Sequence, residues 1–120
     1  MEHKGKSKTN KQVLIDAKAI LVEQGTRPIG RYREYRDGKL IKCSNCAIAT
    51  AAGETMWELK KQHPNFGAVQ LLAEEARKLK LKNNEDWPWG HEDEGLVCKL
   101  NNTLSYEGVL AAFDRAIAAA

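Results

Sequence analysis

The sequence predicts a mainly helical α+β domain in which four or so helices pack around one small β-hairpin. Apolar residues recur at spacings of three and four in several segments, which is the periodicity of helices with one buried face. A short stretch between the first two of these segments contains an Asp-Gly pair, which favours a two-residue β-turn. Since the chain has 120 residues, a length at which one hydrophobic core is usual, we expect a single domain.

The first half of the chain contains the predicted tail, helix and hairpin. Residues 1–9 are polar, lysine-rich and without periodicity, so we expect a disordered basic tail followed by a globular domain over residues 10–120. Asn10 is the expected cap of a helix that ends at Gly25. Two short strands then meet at the Asp37-Gly38 turn. The apolar face of this helix consists of Val13, Leu14, Ala17, Ile20 and Leu21.

Three further helices are predicted after the hairpin. Ser44 is the expected cap of a short alanine-rich helix, and Asn65 that of a longer helix reaching about Leu81. Residues 83–95 show no periodicity, and Leu96-Val97-Cys98 has the pattern of a strand or extended segment. A turn is expected at Asn101-Asn102-Thr103. Ser105 is the expected cap of the last helix. The apolar stripe of that helix consists of Tyr106, Val109, Leu110, Phe113 and Ile117.

Composition and charge indicate the cellular location of the protein and the kind of partner that it binds. No apolar run approaches the roughly 20 residues that span a bilayer, and the basic N-terminus leads into no apolar stretch, so we expect neither a membrane span nor a signal peptide. An odd number of cysteines, three, fits a reducing compartment, and we expect a cytoplasmic protein. Residues 27–42 contain six arginines and lysines against two acids, whereas residues 85–94 contain five acids and neither lysine nor arginine. This two-ended layout favours oriented contacts with a charged partner.

The predicted hairpin is the preferred binding surface. Guanidinium groups pair with phosphates in a bidentate manner, and tyrosine rings stack on bases. The alternative is a solvated strand face whose arginines pair with the acidic segment of the same molecule. Two tryptophans in that segment are either aromatic anchors for a partner or a plug for the core. The candidate ligand-binding residues are Arg31, Tyr32, Arg33, Tyr35, Arg36, Trp87 and Trp89.

The three cysteines suggest a different kind of site, for a metal ion or for thiol chemistry. Cys43 and Cys46 have the C-x-x-C spacing of zinc ligands, with Cys98 and His91 available to complete a tetrahedral site. The same pair at a helix start is also compatible with redox chemistry, although the surrounding pattern is not a βαβ unit. A cysteine hydrolase would further need a histidine and an orienting asparagine or aspartate near Cys46. The available residues are His63, His91, Asn101 and Asn102. The simplest interpretation is that these thiols are buried core residues, and no catalytic or metal ligand is assigned.

Two stretches carry a resemblance to a known family. The first is the Cys46-Ala-Ile-Ala-Thr-Ala-Ala-Gly53 helix, and the second is Asn101-Asn102-Thr103 followed by the helix over residues 107–117. Together they resemble a family of short uncharacterised proteins from actinobacteria and bacteriophages, which have a Cys-Ala-x-Gly-Ala helix and a C-terminal Asn-Asp turn before a helix. Ala49 stands where that family usually has Gly, and Asn102 where it usually has Asp. The resemblance implies a bacterial or phage context and supplies no activity.

We therefore expect the protein to be a small, non-enzymatic binding protein. The resemblance implies that it is encoded by a phage. Its partner is a host macromolecule or an anionic, nucleotide-like ligand, including nucleic acid, and no cofactor is required. The alternative is a small thiol- or zinc-dependent hydrolase that uses Cys43, Cys46 and Cys98 with His91. The sequence leaves the oligomeric state open.

Overall fold

The structure is a computed structural model, which describes residues 8–25, 33–36, 38–54, 59, 62–82 and 92–120. Within these ranges it contains five helices and one antiparallel pair of strands, so the predicted mainly helical α+β class is confirmed. In chain order the elements are α1 (Asn10–Gln24), β1 (Arg33–Arg36), β2 (Lys39–Lys42), α2 (Ser44–Ala51), α3 (Phe66–Lys78), α4 (Glu92–Thr103) and α5 (Tyr106–Ala119).

Helix α1 follows the sequence pattern closely. Its cap is Thr9 rather than the predicted Asn10, because the Thr9 hydroxyl accepts a hydrogen bond from the Gln12 amide. Its end at Gly25 is confirmed: this glycine has φ of 76°, and its amide donates to the carbonyl of Leu21. Four of the five predicted apolar residues are buried, and Ile20 is half-buried.

The core lies between the helices. Helix α1 packs against α2, α3 and α5, and α4 packs against α3 and α2. The largest fully buried side chains include Leu14 from α1, Ile48 from α2, Leu72 from α3, Leu100 from α4 and Phe113 from α5. Each helix of the described chain therefore contributes to one continuous core.

The prediction for residues 96–103 was wrong. Leu96-Val97-Cys98 lies inside helix α4, and the predicted turn at Asn101-Asn102-Thr103 forms its last residues. Three acids occupy the first turn, where negative charge is favourable to the helix dipole. The helical periodicity was hidden because the buried side of α4 includes Glu94, Cys98 and Asn101 beside its apolar residues.

Two other helix boundaries differ from the prediction. Helix α2 is capped by Cys43, whose sulfur accepts a hydrogen bond from the Cys46 amide, whereas the predicted cap Ser44 is its first residue. Helix α3 ends at Lys78, short of Leu81, and Lys80 has a positive φ of 62°. In the ranges that the structure describes, no helix combines the length and the apolar character needed to cross a membrane.

Candidate functional site

The hairpin is built as the sequence predicts, and its register is defined. Gly38 has φ of 78°, a conformation in which glycine is favourable because it has no side chain. Strands β1 and β2 pair in antiparallel fashion, with Arg33 opposite Lys42 and Arg36 opposite Lys39. Two of the four cross-strand pairs thus join two basic residues. The other two pairs are Glu34 with Ile41 and Tyr35 with Leu40.

The register separates the predicted binding residues into two sets. Ile41 is buried, and Glu34 lies opposite it. Since successive residues of a strand alternate between faces, Arg36 belongs to the same face of the hairpin as Ile41. Arg33 and Tyr35 belong to the other face, together with Lys42. Of the predicted group, Arg33, Tyr35 and Arg36 therefore do not all belong to one face of the hairpin.

The remaining predicted binding residues lie outside the described part of the chain. These residues are Arg31, Tyr32, Trp87 and Trp89, and His91 of the cysteine hypothesis lies outside it as well.

Gln24, the last residue of α1, holds the hairpin against the helices. Its side-chain oxygen accepts a hydrogen bond from the Lys42 amide at 2.7 Å, and its side-chain nitrogen donates to the Lys42 carbonyl at 3.2 Å. The amide of Gln24 thereby pairs with β2 in the way that a backbone peptide of a third strand would. This double contact fixes the position of Lys42 relative to α1.

Replacing Gln24 with alanine is expected to loosen this attachment. Loss of two neutral, half-buried hydrogen bonds should cost about 1 kcal/mol locally, so the Lys42 amide should exchange its hydrogen roughly fivefold faster. Hydrogen exchange followed by NMR measures this rate. The matched control is Gln12→Ala, which removes an exposed bond to Asp16 on the same helix. Equal protection of Lys42 in both variants would contradict the role of Gln24.

Directly after β2, the start of α2 meets α4 in a buried group of polar side chains. We call Ser44, Asn45, Glu94, Cys98 and Asn101 the polar centre; all five are buried. The Ser44 hydroxyl donates to the Asn101 side-chain oxygen at 2.6 Å. The Asn45 side-chain nitrogen donates to the Glu94 carbonyl at 3.1 Å and to the Cys98 sulfur at 3.6 Å. These bonds explain why Ser44 does not cap α2 and why α4 buries polar residues.

One acceptor of the polar centre stands out. Asn45 is 1% exposed, and its Oδ1 atom has no hydrogen-bond partner among the described residues. Its orientation is determined by the bond from Nδ2 to the Glu94 carbonyl, since a flipped amide would bring two oxygens together. A buried acceptor without a donor is costly by about 1–3 kcal/mol. The site thus favours a small donor group, such as a water molecule.

The thiols lie beside the polar centre but differ in exposure. Cys43 and Cys98 are buried, and Cys46 is half-buried. Burial raises the pKa of the Cys43 thiol well above its ordinary value, and the neighbouring Cys46 raises it further. Cys43 is therefore protonated at neutral pH, which disfavours it as the thiol that attacks a reagent first. Within the described ranges, no three His, Cys, Asp or Glu side chains are arranged to hold a metal ion.

The structure also bears on the histidine and asparagine required by a cysteine hydrolase. His63 Nδ1 accepts a hydrogen bond from the Asn65 amide, so its Nε2 carries the proton and donates to Glu54 at 3.2 Å. Both ring nitrogens are thus engaged within this segment. Asn101 accepts the bond from Ser44 in the polar centre. His63 is consequently a local structural residue, and Asn101 supports the contact between α2 and α4.

A cleft of about 890 Å³ lies elsewhere, between the start of α1, helix α3 and the end of α5. Arg77 on its wall is bonded to Asp93 at 2.5 Å and to Glu74 at 2.8 Å. The Arg77 guanidinium is thus already paired with carboxylates of the protein itself.

Comparison with models of known protein families, with curated proteins and with solved structures finds no match for this chain.

Proposed function

We propose that the protein is a small, non-enzymatic binding protein whose hairpin holds a phosphate-bearing ligand, either a nucleotide or a nucleic-acid strand. The observation that carries the proposal is the register of the hairpin, in which Arg33 lies directly opposite Lys42. Residues directly opposite in antiparallel strands have Cβ atoms about 4.5–5.5 Å apart, and like charges at such positions are destabilising. A bound anion would relieve this repulsion.

The face that contains Arg33, Tyr35 and Lys42 suits such a ligand better than the other face. It lies opposite the face of the buried Ile41, and Gln24 fixes the backbone of Lys42. A guanidinium group binds phosphate with two parallel hydrogen bonds, and a lysine adds a point charge. Tyrosine contributes a ring on which a base stacks. The residue types on this face therefore match both parts of a nucleotide.

On the resemblance to actinobacterial and phage proteins, the proposal includes a bacterial or phage origin for the protein. The ligand then belongs to a bacterial host, and Trp87 and Trp89 are additional candidates for contact with it. The alternative, a thiol- or zinc-dependent enzyme, has less support, because Cys43 is fully buried and its pKa is raised.

Replacing Arg33 with glutamine is expected to weaken binding of a fluorescently labelled single-stranded oligonucleotide, measured by anisotropy. Loss of one charge-assisted contact costs about 1.5–3 kcal/mol, so the Kd should rise roughly tenfold or more. The slope of log Kd against log salt should also become shallower by about 0.7, since one fewer counterion is released from a single strand. Competition with an unlabelled nucleoside triphosphate distinguishes a nucleotide site from a strand-binding surface.

Arg36→Gln is the matched control, because it removes the same charge from the same strand on the other face. The proposal predicts a much larger effect for Arg33. Equal losses for both variants would indicate a diffuse electrostatic attraction, and unchanged binding in Arg33→Gln would remove this face of the hairpin as the site.

A further inference from the structure

Cys43 and Cys46 occupy positions at the start of α2 from which a disulfide can form. Cys43 is the cap and Cys46 the third residue of the helix, and the Cys43 sulfur lies 3.3 Å from the Cys46 amide nitrogen. Helical geometry places Cα atoms three residues apart at about 5 Å. This distance lies inside the range of about 4.4–6.8 Å that disulfides span. The pair can therefore be joined without unwinding α2.

The three thiols are not equivalent in their access to a reagent. Cys46 is half-buried, whereas Cys43 is fully buried and Cys98 is 1% exposed. Cys98 also lies on a different helix, where its sulfur accepts a hydrogen bond from Asn45. Cys46 is thus the thiol that a small reagent reaches first. Cys43 is placed to react with whatever forms on Cys46.

We propose that Cys43 and Cys46 are a reversible oxidation site that reacts with low-molecular-weight disulfides of the glutathione type. In the first step the Cys46 thiolate attacks one sulfur of the reagent, forming a mixed disulfide, and the other half leaves as a thiolate that takes up a proton. In the second step Cys43 gives up its proton, and its sulfur attacks the Cys46 sulfur. The second half of the reagent leaves and takes up that proton. The protein loses two electrons and two protons, and the reagent is reduced to two thiols.

The geometry supports this chemistry independently of the anion-binding proposal. The missing βαβ pattern argued against a thioredoxin-like domain, but an accessible first thiol and a second thiol within reach are needed for thiol exchange in any fold. The Cys43 backbone is extended, with φ of −81° and ψ of 171°, so its side chain folds over the first turn of α2 toward Cys46. Cys43 also follows Lys42 directly, and oxidation would fix the chain where β2 joins α2.

The test is incubation of the folded, wild-type protein with excess oxidised glutathione, followed by acid quench, alkylation in denaturant and peptide mapping. We expect the protein to lose two hydrogen atoms in mass, with Cys43 and Cys46 protected from alkylation until reduction and Cys98 alkylated throughout. Both protected cysteines fall on one tryptic peptide, because Lys42 precedes Cys43 and Lys60 follows Cys46.

Single variants identify the order of the two steps. Cys43→Ser should stop at the mixed disulfide and retain one glutathione on Cys46. Cys46→Ser should remain unmodified, because the buried Cys43 is not reached, and Cys98→Ser should oxidise as the wild type does. A disulfide that includes Cys98, a disulfide between two chains, or a wild-type protein that keeps all three thiols free would each overturn the proposal.

Discussion

Replacing Phe113 with alanine is expected to lower the free energy of unfolding by about 3–5 kcal/mol. Phe113 is fully buried on α5, the helix that packs against both α1 and α3. Truncation removes apolar contacts and leaves a cavity that three helices can only partly close. Urea denaturation followed by circular dichroism measures the change. A loss of this size is a large part of the 5–15 kcal/mol typical of a domain.

Two variants make this result interpretable. Phe113→Leu keeps most of the apolar volume and should cost clearly less than alanine. Val22→Ala truncates a side chain that is 51% exposed and should be nearly neutral. If Phe113→Ala lowered the free energy of unfolding no more than Val22→Ala does, this would contradict the packing of α5 against α1 and α3.

The second large effect is expected at Glu75, a buried carboxylate on α3. Its side chain is 2% exposed; Oε1 accepts a hydrogen bond from Arg115 Nε at 2.7 Å, and Oε2 accepts one from Lys78 Nζ at 3.0 Å. Arg115→Ala should cost about 1–3 kcal/mol at neutral pH, because Oε1 is left buried without a donor. Lys78→Ala should cost less, since Lys78 is 63% exposed and lies on the same helix as Glu75.

The same contact predicts a dependence on acid. Burial alone would raise the pKa of Glu75, but the hydrogen bonds and positive charges of Arg115 and Lys78 together hold it below the ordinary value of 4.5. A carboxylate whose pKa is lowered by folding stabilises the protein above its unfolded pKa. That stability is lost as the pH falls below 4.5 and through the folded pKa. The difference in unfolding free energy between the wild type and Glu75→Gln should therefore shrink in acid.

Glu74→Gln is the matched control for this experiment. Glu74 is the neighbouring carboxylate on α3 and pairs with Arg77, but it is 56% exposed, so its loss should be worth about 0–1 kcal/mol. Denaturant titrations of both variants at neutral pH and well below pH 4.5 compare the two positions. A difference for Glu75→Gln that stays constant with pH would contradict the lowered pKa.

The oxidation site and the hairpin are adjacent in the chain, which makes their combined behaviour measurable. Lys42 ends β2, Cys43 caps α2, and Gln24 holds the junction against α1. Comparing the oligonucleotide affinity of the oxidised and reduced forms would show whether a Cys43–Cys46 disulfide changes binding at the hairpin. Each proposal nevertheless stands on its own experiment, because the disulfide is read from mass and alkylation and the anion site from binding.

Three boundaries that local chemistry controls were predicted correctly. Gly25 ends α1, Gly38 lies in the turn between the strands, and the Ser105 hydroxyl caps α5 by accepting a bond from the Gly108 amide. These features depend on residues within a few positions of each other, so the sequence displays them directly. Helices α1 and α5 were also recognisable, because their buried faces are largely apolar.

The candidate site was predictable only in its composition. The arginines, tyrosines and cysteines were visible as residue types, and the hairpin that holds Arg33, Tyr35 and Arg36 was predicted. The placement of Arg33 and Tyr35 on one face of the hairpin, and of Arg36 on the other, followed only from the pairing register and the burial of Ile41. The polar centre was missed, since Ser44 and Asn101 are 57 positions apart and look like ordinary cap and turn residues.

The sequence by itself thus determined the elements whose signals are local: the glycine that ends α1, the serine that caps α5, the hairpin, and the helices with apolar faces. Tertiary structure alone decided that residues 92–103 are helical, that Glu75 is buried, and which residues meet at the start of α2. The physical reason is the same in each case. A buried polar group is stable only beside a distant partner, and that partner is brought close by the packing of whole helices, which no local pattern displays.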